Sequence, residues 1–215
     1  MRWIQMLLSG GVVLWLLVIC LAVIVFISYE RLTALRKAKT NIPTFSVKMR
    51  NILKKKEIQS AIDFCMEDKS TISNIMRRGL KKYKFGRERF LEEIELGGKQ
   101  EISKLEKGIT ILATLATASP MLGFLGTIMG MASTFRVIQD LHSSVTVADF
   151  AGGIWQALIT SAVGLIVGMI ALALHNYFVN AVKKIVLDIE RIITELIDVI
   201  DGNDKDQPQI SEPEQ

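Results

Sequence analysis

The distribution of charge constrains this chain more than any other feature. Trp3 to Tyr29 is 27 residues without Asp, Glu, Lys or Arg, Gly108 to Phe135 is 28, and Phe150 to Val182 is 33. The 26 Lys+Arg and 22 Asp+Glu therefore all fall in the other 127 of 215 residues. A helix crosses the hydrocarbon core of a bilayer with roughly 20 consecutive apolar residues, and each stretch exceeds that. Such segregation excludes a single water-soluble globule, a secreted disulfide scaffold and a disordered chain. The expected fold is an all-α integral membrane protein with three transmembrane helices.

The charges also set a topology. Residues 31–107 hold 20 Lys+Arg against 10 Asp+Glu, beginning with Arg31, Arg36, Lys37 and Lys39 directly after the first stretch. Basic residues close to span ends stay in the cytosol. The expected organisation is then a short external N-terminus over 1–6, a first span over 7–28 and a cytosolic helical segment over 29–107. A second span follows over 108–135, an external loop over 136–149 and a third span over 150–182. A cytosolic helix extension over 183–202 and a disordered tail over 203–215 complete the chain. The opening apolar run reads as a retained anchor, because no small-x-small cleavage site follows it. The basic excess is confined to one side of the membrane and does not point to nucleic acid.

Cys20 and Cys65 fall in different compartments and are expected to be reduced, small apolar side chains. His142 and His175 stand far apart and no CxxC occurs, so neither a metal nor another cofactor is expected.

Between the first two spans the apolar residues recur at helix spacing. Asn41-Ile42-Pro43 breaks the chain, and Phe45, Met49 and Ile52/Leu53 begin a new face. Ile58, Ala61, Ile62 and Cys65 form a helix ending near Asp68; Ile72, Ile75 and Leu80 form another, closed by Lys81 to Gly86. Phe90, Leu91, Ile94, Ile102 and Leu105 run on towards the second span, with an expected interruption at Gly97-Gly98. After the third span, Ile185, Ile189, Ile192/Ile193, Leu196 and Val199/Ile200 continue an apolar stripe to Gly202.

The second and third spans differ in kind from the first. Ala113, Ala116, Pro120, Gly123, Thr127, Gly130 and Thr134 place small or polar residues along one helix face; Gly153, Ala157, Ser161, Gly164, Gly168 and Ala171 do the same in the third span. Lipid gives helices no hydrophobic reason to associate, so such strips read first as close-packing faces. Gly126 belongs with these packing glycines, and Pro120 removes one helix hydrogen bond and invites a kink. Thr127, Thr160, Ser161 and Gln156 are the candidate residues of a polar path. No Asp, Glu, Lys or Arg lies within a span, although proton pathways usually need an ionisable group at membrane depth. Any proton carried here must therefore be held by a carboxylate from another subunit. A non-conducting oligomeric membrane scaffold remains the alternative reading.

The run from Ala118 to Met131, ASPMLGFLGTIMGM, resembles the second-span signature of the ExbB/TolQ/MotA proton-channel family, and Ile154 to Leu165, IWQALITSAVGL, resembles its third-span signature. Ser161 stands where the family has Thr, Gln156 where Glu is frequent, and Ile170 where Pro is usual. The resemblance, closest to ExbB or TolQ, implies a homopentameric ring in the bacterial inner membrane with the N-terminus outside and the C-terminus in the cytosol. It further implies a one-span ExbD- or TolR-like partner carrying an intramembrane Asp. A TonB- or TolA-like protein would then be driven by proton-motive force for outer-membrane transport or envelope maintenance. No enzymatic activity is implied.

Overall fold

The computed structural model describes residues 11–40, 42–55, 57–68, 70–141, 147–200 and 202. The expected external segment 1–6 and the expected tail from 203 onward lie outside them. Among the described residues all regular structure is helical. Three helices among the described residues are long and apolar enough to cross a membrane, over Gly11–Arg36, Ile109–Asp140 and Phe150–Ile200. The chain divides into two compact units, one of Met1–Thr33 with Lys107–Asn180 and one of Ala34–Glu106 with Ala181–Gln215.

The first unit holds the first two uncharged stretches and the third as far as Asn180. Helix α1 spans Gly11–Thr40 and runs beyond the expected end at 28. Nothing after Ser28 opposes helix: Arg31, Leu32, Ala34, Leu35, Arg36 and Lys37 are helix formers, and the next proline is Pro43. Leu14, Leu17 and Ile24 are buried, while Trp15, Ile19 and Phe26 lie exposed on the other sides of the helix. The long helices α6 (Ile109–Leu141) and α7 (Val147–Ile200) carry the other two spans. Gly108 has φ +84°, a backbone that cannot belong to the helix, and so fixes the start of α6. Helix α7 is 54 residues long, about 80 Å at 1.5 Å per residue, against roughly 30 Å of hydrocarbon.

In the second unit, short amphipathic helices bury one face each. Helix α2 (Ile42–Lys54) buries Ile42, Phe45, Met49 and Leu53, with Pro43 in the first turn, where a missing N–H costs nothing. Helix α3 (Ile58–Glu67) buries Ala61 and Cys65, and Phe64 stacks on Phe45 at 5.6 Å between ring centroids. Ser70 caps α4 (Thr71–Lys82), its Oγ accepting from the Ser73 N–H at 3.3 Å. A 3-10 turn over Tyr83–Phe85 and Gly86, at φ +108°, reverse the chain into α5 (Arg87–Glu106).

Helix α5 corrects the expected interruption at Gly97-Gly98, because it passes through both residues unbroken. Gly97 is there for space, whereas a Cβ on Gly98 would meet nothing within 4 Å. A Cβ on Gly97 would stand 3.2 Å from Arg78 Cδ and 3.6 Å from Ile75 Cα, and one on Gly79 would stand 2.5 Å from Ile94 Cγ1. The α4–α5 hairpin closes through these two positions, and tertiary contact outweighs the roughly 1 kcal/mol helix penalty of a glycine. Glu101, 6% exposed, lies on the buried face of α5 and accepts from Lys104 Nζ at 2.6 Å. The distal part of α7 buries Ile185, Ile189, Ile193 and Leu196. The expected stripe is thus present, and the helix stops at Ile200 before Gly202, whose φ is +74°.

Candidate functional site

Within the first unit α6 and α7 are antiparallel and meet along a seam of small residues. A Cβ added to Gly164 would stand 2.7 Å from Gly123 Cα, and one on Gly168 would stand 2.6 Å from Pro120 Cγ. At Gly126 it would stand 2.5 Å from Thr160 Oγ1, and at Gly130 2.8 Å from both Ala157 Cβ and the Gly153 carbonyl oxygen. Gly153 meets Thr134 in the same way. Gly126, Gly130, Gly164 and Gly168 therefore sit where the opposing helix leaves no room for a methyl group, and a Cβ on Gly123 would press at 3.1 Å on Gly164 Cα and the Thr160 carbonyl oxygen. Pro120 lies inside α6, which continues through it, and the Ala116 carbonyl it cannot bond lies beside Gly168.

The hydroxyls are sorted by this seam. Thr160 is 1% exposed and wedged against Gly126; its Oγ donates within its own helix, with the Gln156 carbonyl at 2.9 Å and the Ala157 carbonyl at 3.0 Å. The seam thus uses Gly126 and Thr160, each one position before the residue that sequence periodicity assigned to the strip. Thr127 and Ser161 are half-buried at its edge. Successive residues turn by about 100°, and in antiparallel helices that face each other the turn after a seam residue leads to the same side. Thr127 and Ser161 accordingly flank one edge of the α6–α7 pair. Thr127 Oγ donates to the Phe124 carbonyl at 2.6 Å, which leaves its lone pairs free to accept.

Gln156 lies elsewhere. It stands five residues before Ser161, about 140° away around α7, and its Nε2 would be 2.5 Å from a Cβ on Gly11. Its amide therefore faces the start of α1, where Gly11 has φ +66°. Of the four candidate path residues, the structure puts Thr127 and Ser161 on one edge, Thr160 inside the seam and Gln156 against α1.

Two features were not legible beforehand. Ser119 is fully buried on the seam face, and its Oγ has no hydrogen-bond partner among the described residues. His175 has Nδ1 3.2 Å from the Ile109 carbonyl oxygen and so ties α7 to the first residue of α6. Nothing in the spacing of a lone histidine signals that contact, 66 residues away along the chain. Among the described residues no group of three His, Cys, Asp or Glu is placed to hold a metal ion.

Residues 67–191, more than half of the chain, match the MotA/TolQ/ExbB proton channel family. The chain is 28% identical over 191 residues to a biopolymer transport protein ExbB homolog of Methanothermobacter thermautotrophicus, covering 88% of this chain and 67% of that one. It is 26% identical over 161 residues to the Tol-Pal system protein TolQ of Pseudomonas aeruginosa, covering 70% and 69%. It is 36% identical over 89 residues to the biopolymer transport protein ExbB of Aquifex aeolicus, covering 41% and 60%. The match takes in the seam, the hydroxyl-bearing edge and the α4–α5 hairpin, and the chain belongs to the MotA/TolQ/ExbB proton channel family.

Proposed function

We propose that the chain is an inner-membrane subunit of an energy-transducing complex driven by proton-motive force, and that it supplies the wall of the proton path but not the proton-binding acid. The observation that carries this reading is the shared edge of Thr127 and Ser161 within two stretches, Gly108 to Phe135 and Phe150 to Val182, that contain no Asp, Glu, Lys or Arg. Hydroxyls relay or coordinate a proton but do not hold one near neutral pH, and an intramembrane carboxylate is the usual carrier.

In this reading five copies form a ring whose second and third spans face its centre. The acid is an Asp on the single span of an ExbD- or TolR-like partner, placed against the Thr127–Ser161 edge. Its cycle of protonation moves the partner against the ring and drives a TonB- or TolA-like protein. The relatives named for biopolymer transport and for the Tol-Pal system support such a role. The N-terminus lies outside and the basic segment 31–107 lies in the cytosol, following the bias of Lys and Arg. Chemistry on a substrate has no place in it.

Co-expression with a one-span, Asp-bearing partner and reconstitution into liposomes containing a pH-sensitive dye tests the proposal. Proton uptake is expected from the complex and not from either chain alone, and partner Asp→Asn is expected to abolish it. A chain that purifies as a stable monomer and captures no such partner would overturn the reading.

A further inference from the structure

Helices α3 and α4 leave a groove of about 630 Å³, with Ile58, Ile62, Met66 and Leu80 as its apolar lining and Lys81 and Lys84 at its edge. Lys81, Lys82 and Lys84 are exposed, and among the described residues none of them pairs with a carboxylate. Lys82 and Lys84 instead stand 5.5 and 5.2 Å from the centroid of the Phe85 ring, which is 62% exposed. An apolar groove with a cationic rim selects an acidic segment that carries an aliphatic side chain.

The chain contains such a segment. Residues 203–215, NDKDQPQISEPEQ, hold four carboxylates and one lysine. Ile210 is their one aliphatic side chain, and it lies between Asp204 and Asp206 on one side and Glu212 and Glu214 on the other. Pro208 and Pro213 favour extended backbone around it, which lowers the entropy lost on docking. The segment begins just past the end of α7 at Ile200, and the distal part of α7 belongs to the same compact unit as the groove. Thirteen extended residues reach about 40 Å. We propose that this C-terminal segment docks into its own chain's groove, with Ile210 against the apolar lining and the flanking acids on Lys81 and Lys84.

The test uses the full-length chain with a spin label at Ser211→Cys, in a Cys20→Ser background. Restricted label motion is expected at low salt, with release by 1 M NaCl and by Lys81→Glu/Lys84→Glu. In a second arm, a peptide of residues 203–215 is titrated into the chain truncated after Gly202. Saturable binding is expected, weakened at least five-fold by the same double substitution. A label equally mobile in every case, or a peptide that does not bind, would overturn the proposal. So would a groove that binds phosphatidylserine vesicles equally well with and without residues 203–215, because the occupant would then be lipid.

Discussion

Gly126 and Thr160 meet across the α6–α7 seam so closely that a Cβ on the glycine would stand 2.5 Å from the threonine Oγ1. The same contact buries Thr160 in the seam and leaves Thr127 and Ser161 as the hydroxyls at the edge. In the proposed reading, packing and chemistry therefore reside on neighbouring residues and are separable by substitution.

Seam glycines are expected to be intolerant in proportion to what opposes them. Gly164→Ala drives a methyl into the Gly123 backbone at 2.7 Å and should cost about 1–3 kcal/mol of stability. A Cβ on Gly98 in α5 meets nothing within 4 Å, so Gly98→Ala should be neutral or stabilising by up to about 1 kcal/mol. Thermal unfolding of both variants in one detergent measures the contrast; equal midpoints would contradict it.

Thr127→Val removes a hydroxyl at nearly constant volume. Assembly should survive, while energy-dependent activity should fall on the order of 10²-fold or be abolished. Thr160→Val should show the opposite pattern, losing about 1 kcal/mol of stability and little activity, because its hydroxyl bonds only within its own helix. Proton uptake and oligomer mass, measured side by side, separate the two. Full activity in Thr127→Val would remove that residue from the path.

Ser119 carries a buried hydroxyl with no hydrogen-bond partner among the described residues. An unmade hydrogen bond of this kind costs roughly 1–3 kcal/mol. Ser119→Ala is accordingly expected to leave the unfolding midpoint unchanged or raise it. A lower midpoint would mean that the hydroxyl has a partner in the assembled protein.

Cys65 is 1% exposed, and burial, reinforced by Asp68 and opposed by Arg77, pushes its thiol up from 9.0 to about 12. At pH 8 the folded Cys20→Ser protein should resist alkylation and react only after denaturation. The linkage has a definite sign. Above pH 9 the unfolded thiol loses its proton before the folded one, so this contribution to stability is complete below about 9 and is lost as pH rises towards about 12. Cys65→Ala should flatten that part of the stability–pH curve. Rapid labelling of the native protein would refute the assignment.

Much of this fold was legible because bilayer and helix physics leave few options for uncharged stretches of such length. The spans, the amphipathic helices and the glycine faces all follow from period and composition. Register along the seam did not. Glycine, alanine, serine and threonine all qualify as small, so periodicity alone admits Thr127 and Ser161 as readily as Gly126 and Thr160, and only the opposing backbone decides. Polarity at membrane depth groups Gln156 with the path, yet its amide faces the start of α1. Gly97-Gly98 resembled a break because helix propensity is local, whereas the space beside Ile75 is made by a different helix.

Helix α7 has one further consequence. Within the first unit it carries Gly164 and Gly168 about one turn apart, against Gly123 and Pro120 of α6. Backbone meeting backbone at successive turns admits one register only. One residue inserted between Gly126 and Gly130 would swing the later glycine face by about 100°, and four would swing it by only about 40°. The azimuth of the hydroxyls is therefore inherited from the glycines, so that a slip of the packing re-addresses the edge.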